Sequence, residues 1–231
     1  MPDALKIPYA SRAMNKTKTK WIEIKIDYMT AAEALYWDRT IQLDIVAEAL
    51  KARSEGKPVP RADRYWSWTG LRILFPLAQS LRKRRCRALS ILVENASGQG
   101  VPAGMLLLIE AYPWPFPLGA ASPQSTFLWF LASAPTDSLK KLGVVDPPSL
   151  GRILIDTALV TSMGLGHEGQ MWLHAAPSGG EKLLGFYVDM CRLRKMPVGT
   201  ALPSGAASDG RHCLAASVLA KRLIAELNLT R

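Results

Sequence analysis

The sequence predicts an α/β (α+β) domain with a mixed, mostly antiparallel central sheet and helices on both faces. Three observations predict it. The elements run β-α-α-β-β-β-α-β-α along the chain, followed by a tail. Three successive strand patterns form a meander, and a strand–helix–strand alternation follows, which together imply a mixed sheet covered on both sides. Hydrophobic residues make up 48% of the chain, enough for a sizeable core.

Each element has a local cause. Residues 21–28 alternate Ile22, Ile24 and Ile26 with polar neighbours and read as a strand. Thr30 and Glu33 form a capping-box pattern, and the helix they open runs to about Ala52. Gly56, Pro58 and Pro60 mark a loop. Tyr65 to Lys83 reads as a helix with a kink or restart at Pro76. Strands follow over Ala88–Glu94 and Pro102–Tyr112, joined by the turn-rich Asn95–Gly100. The alternating prolines after Tyr112 dictate an extended loop. Thr126–Ser133 is the third strand of the meander. Beyond it, Leu150–Met163 is a helix, Gln170–Ala175 a strand and Glu181–Arg194 a helix. Arg211–Ala216 is a final strand and Leu219–Leu227 a terminal helix.

At 231 residues the chain fits one large domain. Residues 1–20 are polar and basic without the apolar stretch of a signal peptide. They are expected to be a flexible N-terminal arm, ahead of a single domain over 21–231. No apolar run reaches the ~20 residues of a membrane span, so no membrane partner is expected. The cysteines Cys86, Cys191 and Cys213 are odd in number and widely spaced, against a disulfide framework or zinc knuckle. A reducing, cytoplasmic setting fits. With only His167, His174 and His212, no metal is expected.

The formal net charge is +10. Basic residues cluster at Lys16, Lys18 and Lys20, and at Arg82, Lys83, Arg84, Arg85 and Arg87. Such clusters meet nucleic acid, anionic cofactors or acidic partners, or are simply a solvated helix end, where cations are favoured. Residues 164–169 match G-x-G-x-x-G, but they follow a helix and precede a strand. That order is the reverse of a dinucleotide-binding turn, so a helix C-cap and turn is expected. His167-Glu168 lacks the second histidine of a zincin motif, and Ser178–Lys182 lacks Walker spacing.

Four segments remain: FLWFLAS over Phe127–Ser133, SLGRILIDTAL over Ser149–Leu159, QMWLHA over Gln170–Ala175 and LLGFYVDMCRL over Leu183–Leu193. In that order they resemble the acyl-CoA-binding half of the GNAT superfamily of N-acetyltransferases. The resemblance implies a central strand, a glycine-bearing loop with a helix whose N-terminus holds pyrophosphate, a splayed strand, and a helix with an aromatic pair. It implies acetyl-CoA as co-substrate, held by Leu131, Ala132 and Ser133 on the strand and by Ser149, Leu150, Gly151, Arg152 and Ile153 at the helix start. It implies direct transfer to an amine, with Tyr187 as general acid to the departing thiolate. Tyr187 also reads as a core tyrosine, since it shares a helix face with Leu183, Leu184 and Cys191. The acceptor amine must be neutral, so a base is expected. Glu110 at a strand end is the first choice, with Glu94 and Asp137 behind it and His174 as another. Trp66, Trp68 and Trp114 either flank the acceptor or pack beneath a loop. This sequence departs from the family pattern in keeping one loop glycine, in the insertion 135–148 and in lacking an asparagine after the splayed strand. The alternative is therefore a catalytically inactive binding protein on the same fold, engaging nucleic acid or an acidic protein.

Overall fold

The computed structural model describes residues 9–59, 61–116 and 123–230. Strands β1 (Arg12–Met14), β2 (Trp21–Tyr28), β3 (Cys86–Glu94), β4 (Gly100–Pro113), β5 (Gln124–Ser133), β6 (Met171–His174), β7 (Arg194–Lys195) and β8 (His212–Ala215) form one sheet. Its order is β1-β2-β3-β4-β5-β6-β8-β7. Every neighbouring pair is antiparallel except β5–β6, which is parallel. The mixed, mostly antiparallel sheet is the one the element order dictates.

The central strand is β4. Its residues Val101 to Ile109 are all buried, as a strand covered on both faces requires. Pro102, which cannot donate to a ladder, sits where the β3–β4 register shifts between Ile91 and Leu92, a bulge that tolerates the missing N–H. A second bulge lies in β5. Leu107 pairs with Phe130 and Leu108 with Leu128, which leaves Trp129 as the extra residue. Such a bulge bends its strand and increases the local twist.

The helices follow the sequence with informative departures. The Thr30–Glu33 capping box forms: Glu33 N–H donates to Thr30 Oγ1 at 3.1 Å, and Thr30 N–H donates to Glu33 Oε2 at 2.7 Å. Helix α1 (Ala31–Tyr36) passes through a π-turn (Trp37–Ile41) into α2 (Gln42–Ser54). Helix α3 (Trp68–Ser80) runs on through Pro76 with no restart there. Its N-terminus is satisfied from another helix: Asp38 accepts from the N–H groups of Trp68 and Thr69 at 2.7 and 3.0 Å. The insertion 135–148 folds a short helix, α4 (Thr136–Lys141). Helix α5 (Gly151–Gly164) lies against β4, β5 and β6, and ten of its residues are buried.

The helix expected over Glu181–Arg194 is shorter and irregular. It comprises α6 (Gly180–Gly185) and a π-turn (Phe186–Met190). Arg192 ends it with φ 57°, and Arg194 already pairs in β7. Helix α7 (Ser217–Glu226) and a 3-10 turn (Asn228–Thr230) close the described chain.

The stretch expected to be a flexible arm differs within its described part. Residues 12–14 pair with 21–23 as β1, and Ser149 N–H donates to Met14 O at 2.8 Å. Apolar Ala13 is fully buried there, which ties this segment to the core. Residues 1–8 lie outside the described residues, as do the last steps of the proline-rich loop beyond Phe116.

The 164–169 segment is a turn from α5 into β6, with Gly166 and Gly169 at φ 80° and 78°. A Cβ on Gly169 would lie 2.7 Å from Ala220 Cβ on α7. Gly169→Ala therefore combines left-handed strain with overpacking. It is expected to destabilise the fold by roughly 2–4 kcal/mol and to lower the thermal midpoint by roughly 5–15 °C. A calorimetric melt of the variant checks this.

Candidate functional site

Strands β5 and β6 pair only through Thr126–Met171, Phe127–Trp172 and Leu128–Leu173. Beyond Leu128 they part, at the Trp129 bulge. The β5 edge past that point faces a cleft of about 800 Å³. Ala134 N–H donates to Ala103 O of β4, so on strand alternation Leu131 and Ser133 turn their backbone groups the other way, into the gap. Ser133 O already accepts from Arg61 there, at 2.8 Å.

The start of α5 forms the opposite wall. Leu150 caps it without a side-chain hydrogen bond, and the first turn carries no acidic residue. Leu150 O accepts from Leu154 N–H, leaving the first-turn N–H groups of Gly151, Arg152 and Ile153 without an intrahelical acceptor. Such donors and the positive dipole end favour an anion. Gly151 is required by packing. A Cβ there would meet Phe186 Cζ at 2.6 Å and Cε2 at 2.9 Å, so the aromatic pair and the helix start touch only because residue 151 has no side chain.

Of the residues expected to hold acetyl-CoA, Leu131, Ala132, Ser133, Ser149, Gly151, Arg152 and Ile153 all line this one cleft. Leu150 does not. It is buried in the core and contributes its backbone as the cap. Tyr187 also lines the cleft, within the π-turn, an irregularity that re-aims helical side chains. It is buried, packs on Leu184 and Cys191 within the core cluster, and lies 5.3 Å from the Phe186 ring. The core-tyrosine reading and the cleft reading thus hold together. Burial, reinforced by the nearby Cys191 and Cys213 thiols, pushes the Tyr187 phenol well above its usual range. At neutral pH the phenol is therefore protonated, and its O–H is available to donate.

Glu110 stands elsewhere, a correction to the expectation that it faces the acceptor. Arg87 grips its carboxylate at 2.8–2.9 Å, and His167 Nε2 binds its carbonyl at 2.9 Å. It does not line the cleft. The reason is the pairing of β3 with β4, which sets Arg87 opposite Leu108, two residues from Glu110 and so on the same face of the sheet. Glu94 and Asp137 are exposed and also outside the cleft. His174 does line it, one residue past the last β5–β6 pair. Its Nε2 lies 2.9 Å from Asp209 Oδ2, and its ring stacks on His212 at 4.4 Å. Burial opposes charge on Asp209, but hydrogen bonds from His174 and the Arg211 N–H hold its carboxyl below the usual range. The ligand atoms of His174, Asp209 and His212 all lie within 4.8 Å of one another, a set that could also take a divalent ion.

Cations crowd the cleft. Lys16, Lys18, Arg152, Lys182 and Arg192 line it. Arg152 and Arg192 both engage Glu226, at 3.3 and 2.8 Å. Lys16 and Lys18 come from the β1–β2 turn, which the short ladder and the Lys16 N–H bond to Pro147 O hold beside α5. Of the tryptophans, Trp66 lines the cleft. Trp68 is fully buried against Trp37 and Trp66, and Trp114 packs in a second cluster with Tyr112, Phe127 and Trp172. Burial raises all three thiols, Cys86 to about 11, Cys191 to about 12 and Cys213 to about 11. They stay protonated at neutral pH, which disfavours a cysteinyl intermediate.

Two histidines give the fold a pH dependence. Burial lowers the pKa of His212, with the His174 charge adding to it, and burial lowers that of His167. Each takes up its proton more readily when unfolded, so stability is full above the unfolded value near 6.5 and falls as pH drops below it. A melt at pH 5.5 is expected to fall below one at pH 7.5, with His212→Gln reducing the difference.

The strand order, the parallel pair that parts after three residues and the helix that starts at the gap agree with the element order expected from the sequence. No family model matches the chain, and no curated protein matches it. Solved structures do. It is similar to AtaTR bound with acetyl-CoA, at 11% identity over 87% of this chain and 97% of that one, TM-score 0.47. It is similar to a chimera of spermidine N-acetyltransferase SpeG from Vibrio cholerae and hSSAT, at 15% identity over 87% and 98%, TM-score 0.46. It is also similar to the PaiA N-acetyltransferase from Thermoplasma acidophilum in complex with coenzyme A, at 13% identity over 84% and 97%, TM-score 0.39.

Proposed function

We propose that the chain is an acyl-CoA-dependent N-acetyltransferase that transfers acetyl directly to an amine. One observation carries this reading. A single cleft joins the β5 edge beyond its last pair with β6, an uncapped helix N-terminus ringed by cations, and a buried, protonated phenol.

The residues present suit an extended, phosphate-bearing thioester. The N–H groups of Gly151, Arg152 and Ile153, with Lys16, Lys18 and Lys182, meet the phosphates. The β5 edge at Leu131 and Ser133 pairs with the amide-bearing arm as an extra strand would. The thioester then lies toward the Trp129 bulge, where the strands part. There Tyr187 donates to the sulfur as the C–S bond breaks. Because burial makes its phenol a weak acid, it contributes chiefly by stabilising the developing charge before the proton passes. On the acceptor side, Asp209 fixes the proton of His174 on Nε2, which leaves the Nδ1 lone pair to take the proton of the attacking amine. His174 replaces Glu110 as the base in this reading.

The test is thiol release from acetyl-CoA across a panel of small amines, polyamines and peptide N-termini. Amine-dependent release supports transfer. Acetyl-CoA binding with no release from any amine points instead to the inactive, binding-only reading.

A further inference from the structure

From Arg64 to Val93 the sequence has seven cations and no carboxylate. Helix α3 lies in this stretch and turns two very different faces outward and inward. Trp68, Leu71, Phe75 and Gln79 face the protein, with Trp68 and Gln79 buried. The opposite face carries Ile73, Leu74, Leu77 and Leu81, which are 57%, 64%, 59% and 82% exposed. Their spacing places all four on one stripe. Large aliphatic groups are not left in water along one helical stripe without a partner.

The charge at the end of the stripe says what kind of partner. Arg82, Lys83 and Arg85 follow Leu81 and are exposed, and none of the three has an ion pair among the described residues. Their neighbours are placed differently: Arg84 lies over the Tyr112 ring at 4.3 Å and Arg87 is paired with Glu110. The carboxylate at α3, Asp38, is held at its other end by the N–H groups of Trp68 and Thr69.

We infer that α3 is a surface-docking helix that lays Ile73, Leu74, Leu77 and Leu81 into an anionic lipid surface while Arg82, Lys83 and Arg85 meet its headgroups. A lipid interface takes both halves of this surface at once, apolar groups at the acyl boundary and cations at the phosphates. Nucleic acid takes the cations but not the aliphatic stripe. A second copy takes the stripe but brings no carboxylate from α3 or the following loop to meet the cations. No helix among the described residues is long and apolar enough to cross a membrane; the helix lies on the surface. Helix α3 starts two residues after the cleft-lining Trp66, so docking brings the cleft to the lipid surface. The inference stands whether or not the cleft takes acyl-CoA.

Co-sedimentation of the full chain with vesicles tests it, using phosphatidylcholine alone and phosphatidylcholine mixed with phosphatidylglycerol. The chain is expected on the mixed vesicles, at least about tenfold less on the neutral ones, and less on the mixed ones as salt rises. Leu74→Glu with Leu77→Glu, both at exposed positions, is expected to lower partition at least about tenfold with an unchanged thermal midpoint. Arg82→Glu with Arg85→Glu is expected to remove the preference for phosphatidylglycerol. Binding to neither vesicle overturns the inference. So does a concentration-dependent dimer that Leu77→Glu dissolves, and so does binding of duplex DNA without binding of vesicles.

Discussion

Tyr187→Phe is expected to slow acetyl transfer by about 10²–10⁴-fold, the usual contribution of a positioned acid, while acetyl-CoA binding changes little. The substitution removes one oxygen from a residue whose ring stays packed on Leu184 and Cys191. No side-chain hydrogen bond among the described residues engages that oxygen, so the protein loses no internal partner when it goes. The loss therefore falls on the step in which sulfur departs. Thiol release with the best amine of the panel reads the rate, and calorimetric titration with acetyl-CoA reads the binding. A rate within about threefold of the parent would return Tyr187 to a packing role alone, since a donor to a developing charge is worth far more than that.

The second large effect is expected at His174. His174→Gln keeps a polar group of similar reach beside Asp209 but has no lone pair basic enough to take an ammonium proton. It is expected to lower the transfer rate by about 10²-fold or more, with acetyl-CoA affinity unchanged and with partial rescue by added imidazole. Asp209→Asn leaves the imidazole in place but loses the carboxylate that fixes its tautomer, and a smaller loss is expected. Rescue separates catalysis from structure, because a variant that had merely shifted the stacked His212 ring gains nothing from free imidazole. A His174→Gln enzyme at full rate removes the dyad from the mechanism. If added divalent ions rather than imidazole restore or abolish the rate, the His174–Asp209–His212 group acts through a metal instead.

What the sequence made legible divides along physical lines. The sheet and its helices were readable because their causes are local: the Ile22-Ile24-Ile26 alternation, the Thr30–Glu33 box, the prolines that end β4. The four segments over 127–193 could be placed in order because each carries its own pattern. The 164–169 glycines could be assigned to a turn from element order alone, and Gly166 and Gly169 have the positive φ of one. What could not be read depends on long-range pairing. Asp209 meets His174 across 35 positions only because β8 pairs with β6. Lys16 and Lys18 reach the cleft because a three-residue strand, too short to show a period, ties their turn to the loop before α5. Glu110 looked free at a strand end because nothing local reveals that β3 sets Arg87 beside it. The exposure of the α3 stripe could not be read, since a helical period records which residues share a face but not whether that face is covered.

The most direct measurement is the response of the thermal midpoint to acetyl-CoA and to free coenzyme A, with Lys16→Glu/Lys18→Glu as the control. The expected result is saturable stabilisation by both ligands, about 2.7 kcal/mol at a hundredfold excess over Kd, weakened in the lysine variant. No shift at millimolar acetyl-CoA, together with no competition by coenzyme A, would contradict the assignment of this cleft.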